Sequence, residues 1–158
     1  MPVFRSRFTV DAPVESVRAF HAHPEALELL TPPGARLQLE QAEPVAEGSR
    51  TAFTLQLGPL RIRWVARHRD VGPEGFTDVQ EHGPMALWEH RHRFRPRKGG
   101  GTVVEDVIRY RYPRGARGLR ARLLFNPLSL RLLFAWRARA TRHALRQAQL
   151  REGRRPSR

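Results

Sequence analysis

Six polar residues in this 158-residue chain occupy positions that alternation assigns to the apolar face of a sheet: His68, Asp78, Gln80, His90, His92 and Asp106. The densest stretch is ALWEHRHRF, residues 86–94, where Trp88, His90, His92 and Phe94 share one face of a strand and Glu89, Arg91 and Arg93 the other. Four kinds of chemistry fit such a set. Two imidazoles in His-x-His spacing can ligate a metal, with His68, Asp78 or Asp106 completing the shell. A histidine beside a carboxylate can serve as a general acid or base, because burial and the negative partner move its pKa in opposite directions around neutrality. The same groups can fix the polar end of a ligand, or they can satisfy one another inside a filled core. A buried carboxylate is costly unless paired, so Asp78 and Asp106 are expected to bond to nearby histidine or arginine.

The elements that would hold these residues follow from periodicity. VFRSRFTV (3–10) alternates and predicts a first strand, after which Asp11 is placed to cap a helix through VESVRAF, with Val14, Val17 and Phe20 in helical spacing. HPEALELLTPPG predicts a second short helix stopped by Pro32, Pro33 and Gly34. Six further strand-like runs follow: ARLQLEQ, SRTAFTLQL, LRIRWVARHRDV, GFTDVQEH, ALWEHRHRF and GTVVEDVIRYRY. The Gly- and Pro-rich breaks between them are too short for crossover helices, so the seven strands are expected to form one antiparallel sheet.

Beyond YPRGARG the period becomes helical. Leu119, Leu123, Leu124, Leu128, Leu132, Leu133, Trp136, Ala140, Ala144 and Leu145 mark the expected inner stripe, interrupted at Asn126-Pro127, where Asn126 can cap a fresh start. A lead-in helix at about 118–125 and a long helix to about 150 are expected, as one domain over 1–150 with a disordered basic tail at 151–158. An apolar sheet face needs a cover, and the long helix is the only large amphipathic element available. The fold class is therefore α+β: a curved seven-stranded antiparallel sheet wrapped around a C-terminal helix, with two short helices between the first and second strands.

Composition narrows the functions. Without cysteine, disulfides, Cys-based zinc sites and thiolate catalysis are excluded, and no Ser nucleophile motif is present. No secretion signal and no spanning run of about 18 apolar residues is visible, so a cytoplasmic location is expected. Of the net charge of +14, +12 lies from Pro113 onward, where 13 arginines face a single acid, Glu152. That excess can attract anionic membrane or nucleic acid through Arg122, Arg131, Arg137 and Arg139, or it can simply be a solvated helix face. A membrane role would be suggested by exposure of Leu124, Phe125, Leu130 or Phe134 beside the arginines.

The element order, together with APVESVRAFHAHPEALELLTPP, FTDVQEHGPMALWEHRHRF and GTVVEDVIRYRYP, resembles the START-like helix-grip superfamily, also called SRPBCC, and within it a bacterial subgroup of ligand-binding, cyclase/dehydrase-like proteins. The likeness extends to about residue 147. It implies the helix-grip fold and a small hydrophobic or amphipathic ligand, such as a lipid, isoprenoid, quinone or polyketide-like compound, held between sheet and helix. The polyketide cyclases of the superfamily imply, alternatively, proton transfer beside a carbonyl, with His90 or His92 as base and Asp78 or Asp106 orienting it. Similar domains elsewhere adjoin a nucleotide-sugar-epimerase-like domain; this chain carries no GxGxxG, so no such neighbour is expected. Neither metal nor cofactor is expected. The residues expected around the ligand are Phe53, Trp64, His68, Phe76, Asp78, Gln80, Trp88, His90, His92, Phe94, Asp106, Tyr110, Leu132 and Trp136.

Overall fold

The structure, a computed structural model, describes residues 1–152. The chain runs β1 (Val3–Val10), α1 (Val14–Ala22), α2 (Ala26–Leu29), β2 (Ala35–Ala42), β3 (Arg50–Leu57), β4 (Leu60–Gly72), β5 (Gly75–His82), β6 (Leu87–Pro96), β7 (Thr102–Arg111), α3 (Gly115–Leu124) and α4 (Pro127–Glu152). All seven strands join one antiparallel sheet in the order β1-β7-β6-β5-β4-β3-β2. The expected α+β fold is what the chain adopts. Arg151 and Glu152 extend α4 instead of beginning a tail, and the rest of the expected tail, 153–158, lies outside the described residues.

Hairpin pairing places the polar positions side by side. His92 stands opposite Asp106, His90 opposite Asp78 and His68 opposite Asp78, with Phe76 opposite His92. Gly75, at the start of β5, has φ +144, and a Cβ there would collide with the His92 carbonyl oxygen. Only glycine lets β5 approach β6 this closely at the site.

The apolar interior is divided. One cluster joins Phe8, Val10, Val17, Phe76, Phe94 and Val104 to Ala138 and Leu145 of α4, and the other joins Trp64, Trp88, Ile108 and Tyr110 to Leu130 and Phe134. Along β6 and β7 the two histidines and Asp106 separate these clusters, as strand register requires: Trp88 lies on one side of the pair and Phe94 on the other.

The helical C-terminal region corrects several expectations. Asn126 does cap α4, its Oδ1 accepting hydrogen bonds from the backbone N–H groups of Leu128 and Ser129, each at 3.0 Å. Of the two helically spaced rows α4 then offers, the one through Leu130 and not the one through Leu128 turns to the sheet. The inner row of α4 is Leu130, Phe134, Ala138, Thr141 and Leu145, all buried. Two residues advance about 200° around a helix, so Leu128 and Leu132 point away from Leu130 and both are 65 % exposed. Leu119 and Leu123 on α3 are likewise outside, whereas Leu130 and Phe134, entertained as surface residues, are inside. Asp11 does not cap α1 either: Pro13 holds the cap position, and the Asp11 carboxylate accepts instead from Arg97 Nη2 at 2.9 Å.

Candidate functional site

Between the curved sheet, α2 and the start of α4 lies a cavity of about 280 Å³, near the lower end of the roughly 300–1,000 Å³ usual for small-molecule pockets. Among the residues expected around a ligand, Phe53, Trp64, His68, Phe76, Asp78, Trp88, His90 and His92 line it. Six others do not. Phe94 and Tyr110 are packed into the two core clusters. Asp106 lies behind His90 and His92, bonded to the former, and does not reach the cavity. Gln80 turns aside to clamp the β5–β6 turn, donating from Nε2 to the Met85 carbonyl at 2.8 Å and accepting from the Met85 N–H at 3.3 Å. Leu132 faces outward, two residues from the buried Leu130, and Trp136 is half-buried away from the cavity. His82, which simple alternation from Asp78 and Gln80 would turn inward, is exposed because a register shift between Val65 and Ala66 breaks the alternation there.

Thr51, His68, Asp78, His92, Asp106 and His90 form a single chain. Thr51 Oγ1 and His68 Nε2 are 3.0 Å apart, and His68 Nδ1 reaches Asp78 Oδ1 at 2.6 Å. Asp78 Oδ2 accepts from His92 Nε2 at 3.1 Å. His92 Nδ1 comes within 3.1 Å of Asp106 Oδ1 but is poorly aligned for a hydrogen bond, and Asp106 Oδ1 accepts from His90 Nε2 at 2.9 Å. Histidine and aspartate thus alternate across four strands, and the His90 and His92 rings approach to 3.8 Å between centroids.

Electrostatics divides the histidines into two states. Burial would push His92 down, but its two carboxylate partners, Asp106 and Asp78, outweigh burial and raise its pKa to about 9. His90 goes the other way, to about 4, through burial and the positive charge of His92 beside it. Burial works against ionised Asp78 and Asp106, yet both are held well below the ordinary carboxylate range: Asp78 by bonds to His68 and His92, Asp106 by contacts with His90 and His92. At neutral pH the centre therefore combines cationic His92 with two carboxylates and a neutral His90. These titrations are coupled and belong to the cluster as a whole.

Of the lining residues outside the expected set, His21 and Arg137 bear most on the chemistry. His21 on α1 donates from Nδ1 to the Val17 carbonyl at 2.8 Å, since a carbonyl can only accept. Burial and the positive charge of His92 lower its pKa to about 4, so at neutral pH its Nε2 is a bare acceptor. Arg137, expected to contact a polyanion at the surface, instead lines the cavity. Its Nε is buried without a partner among the described residues, and burial lowers its pKa against the pull of Asp106 and Asp78. His21 was legible as the i+4 neighbour of fully buried Val17. Arg137 carried no such signal, because it resembles every other arginine of the helix until α4 is phased.

For a metal, Asp78, His90 and His92 bring one ligand atom each within 4.8 Å of one another. A cation there would compete with the hydrogen bonds these groups already make to one another and to Asp106. Among the described residues no helix is long and apolar enough to cross a membrane.

No protein-family model and no curated protein sequence matches the chain. Solved structures do. A structural-genomics protein of Chromobacterium violaceum superposes with a TM-score of 0.73 at 15 % identity, over 90 % of this chain and 96 % of the other. A nucleoside-diphosphate sugar epimerase of Corynebacterium glutamicum is 29 % identical with a TM-score of 0.64; the match covers 90 % of this chain but 29 % of that one. A START superfamily protein of Mycobacterium smegmatis gives 0.66 at 11 % identity, over 92 % and 98 %. Together with the sheet wrapped around its C-terminal helix, these likenesses show that the chain shares the fold of this START superfamily protein.

Proposed function

We propose that the protein binds a small amphipathic molecule between its sheet and α4. The observation that carries this reading is the cavity itself, apolar along Phe53, Trp64 and Trp88 and polar where His21, His92 and Arg137 converge. An apolar body would be desolvated against the aromatic wall, while an oxygen-bearing end would meet the unpartnered Arg137 Nε and the His21 acceptor. Lipids, isoprenoids, quinones and polyketide-like compounds have this layout. Native mass spectrometry of freshly purified protein, followed by extraction and identification of the released compound, tests the reading. A stoichiometric amphipathic compound is expected; an empty protein whose Trp64 and Trp88 fluorescence does not respond to hydrophobic probes would overturn it.

A second reading is an enzyme of the cyclase/dehydratase kind using the same cavity. What favours it is a cationic His92, set between two carboxylates at the cavity wall, where it could stabilise charge developing on a carbonyl. Replacing His92 by Gln separates the two, since a carrier would still take up its ligand while an enzyme would lose turnover.

A further inference from the structure

Four leucines stand outside the fold where an amphipathic pattern would hide them. Leu119 and Leu123 on α3 are 73 % and 75 % exposed, and Leu128 and Leu132 on α4 are 65 % exposed. Each pair has i, i+4 spacing and so forms one ridge, and the two ridges flank the Asn126-Pro127 corner. Isolated exposed leucines need no explanation, but four around one corner do. Exposed Arg117, Arg120, Arg122 and Arg131 surround them, and no acidic residue occurs between Asp106 and Glu152. On its inner side the same corner lines the ligand cavity, through Leu124, Phe125, Ser129 and Leu133.

We infer that the α3–α4 corner docks on an anionic phospholipid surface. The leucines enter the headgroup boundary and the arginines pair with lipid phosphate, which places the cavity wall directly beneath the bilayer contact. Charge disfavours the simplest alternative: a two-fold contact between copies would set one arginine-rich patch against another. A nucleic acid would use the arginines and leave the leucines idle, and among the described residues none of the large apolar side chains exposed is aromatic and able to stack on bases. The docking stands independently of what the cavity holds.

The experiment is flotation of the full chain with vesicles of phosphatidylcholine alone or mixed with phosphatidylglycerol, at low and high salt. Binding to the anionic vesicles is expected, weakening with salt. Leu123→Asp with Leu132→Asp should lower partitioning roughly tenfold or more, and Arg120→Glu with Arg131→Glu by at least about fivefold per site. All four residues are exposed, so unchanged melting temperatures check the fold. Absence of flotation from every vesicle overturns the inference, as does flotation indifferent to the leucine substitutions. Light scattering that shows a dimer dissociated by the leucine pair would assign the corner to a second copy. Retention on RNA that only the arginine substitutions remove would assign it to nucleic acid.

Discussion

At the scale of single residues, the site's charge state makes stability depend on pH in both directions. His92 has its pKa raised from 6.5 to about 9, so its contribution is complete below pH 6.5 and is lost as pH climbs through 9. His21 and His90 are lowered to about 4; their burial as neutral rings is costless above 6.5 and becomes a penalty as pH falls toward 4. Depressed Asp78 and Asp106 act in the same sense, contributing above the ordinary carboxylate pKa and less as acid is added. Urea unfolding midpoints are therefore expected to peak near pH 6.5 and to decline on both sides; an alkaline arm that stays flat to pH 9.5 would mean His92 is neutral. Asp106→Asn sharpens the test. It removes a buried anion that His90 and His92 both contact, at a cost of about 3 kcal/mol, and the His92 pKa measured by NMR should fall toward 6.5 or below. Alternation along the strands was enough to foresee that His68, Asp78, His90, His92 and Asp106 would be neighbours, because in antiparallel hairpins register follows from the turns. It did not show that Asp106 would stand behind the histidines, since which of two inward groups reaches a cavity depends on the third dimension of packing.

At the scale of elements, what strands revealed and helices concealed has one cause. A strand's two faces repeat every second residue and survive small errors of boundary, so β5 was read with its observed limits, Gly75–His82. A helix face drifts by 100° per residue. Within α4 two rows keep helical spacing, Leu128-Leu132-Trp136 and Leu130-Phe134-Ala138, and periodicity alone does not say which of them faces the sheet; the second does. Leu132 and Trp136 were misplaced for that reason, and Arg137 was taken for a surface cation. The cap that starts α4 should be measurable. Asn126→Ala leaves the backbone N–H groups of Leu128 and Ser129 without their acceptor and should cost about 1 kcal/mol in chemical denaturation. The loss should be accompanied by faster amide exchange confined to the first turn of α4, whereas a loss spread evenly over the chain would point to some role other than capping.

At the scale of the whole molecule, the question posed by the sequence was whether aromatic residues on the concave face fill a core or wall a cavity. The structure does both, in different places. Phe94 and Tyr110 pack fully, while Phe53, Trp64 and Trp88 leave space against α4. The polar chain lies between the two apolar clusters: His90, His92 and Asp106 are in contact on the sheet, and Phe134 of α4 packs edge-on against the His90 ring. Ala66 gives a way to separate the space from the fold around it. Its side chain is buried, lines the cavity and points between Trp64 and His68. Replacing it by Phe puts a ring into room that is already there, so the overpacking cost of about 1–3 kcal/mol typical of a filled core should be largely avoided, and the melting temperature should change little. Ligand uptake, read by native mass spectrometry and by Trp64 and Trp88 fluorescence, should be lost. A variant that unfolds would show that the interior is effectively filled, and one that binds as before would place the ligand elsewhere. If stability is retained and uptake disappears, the cavity is the binding site and the helix grips the ligand rather than only the sheet.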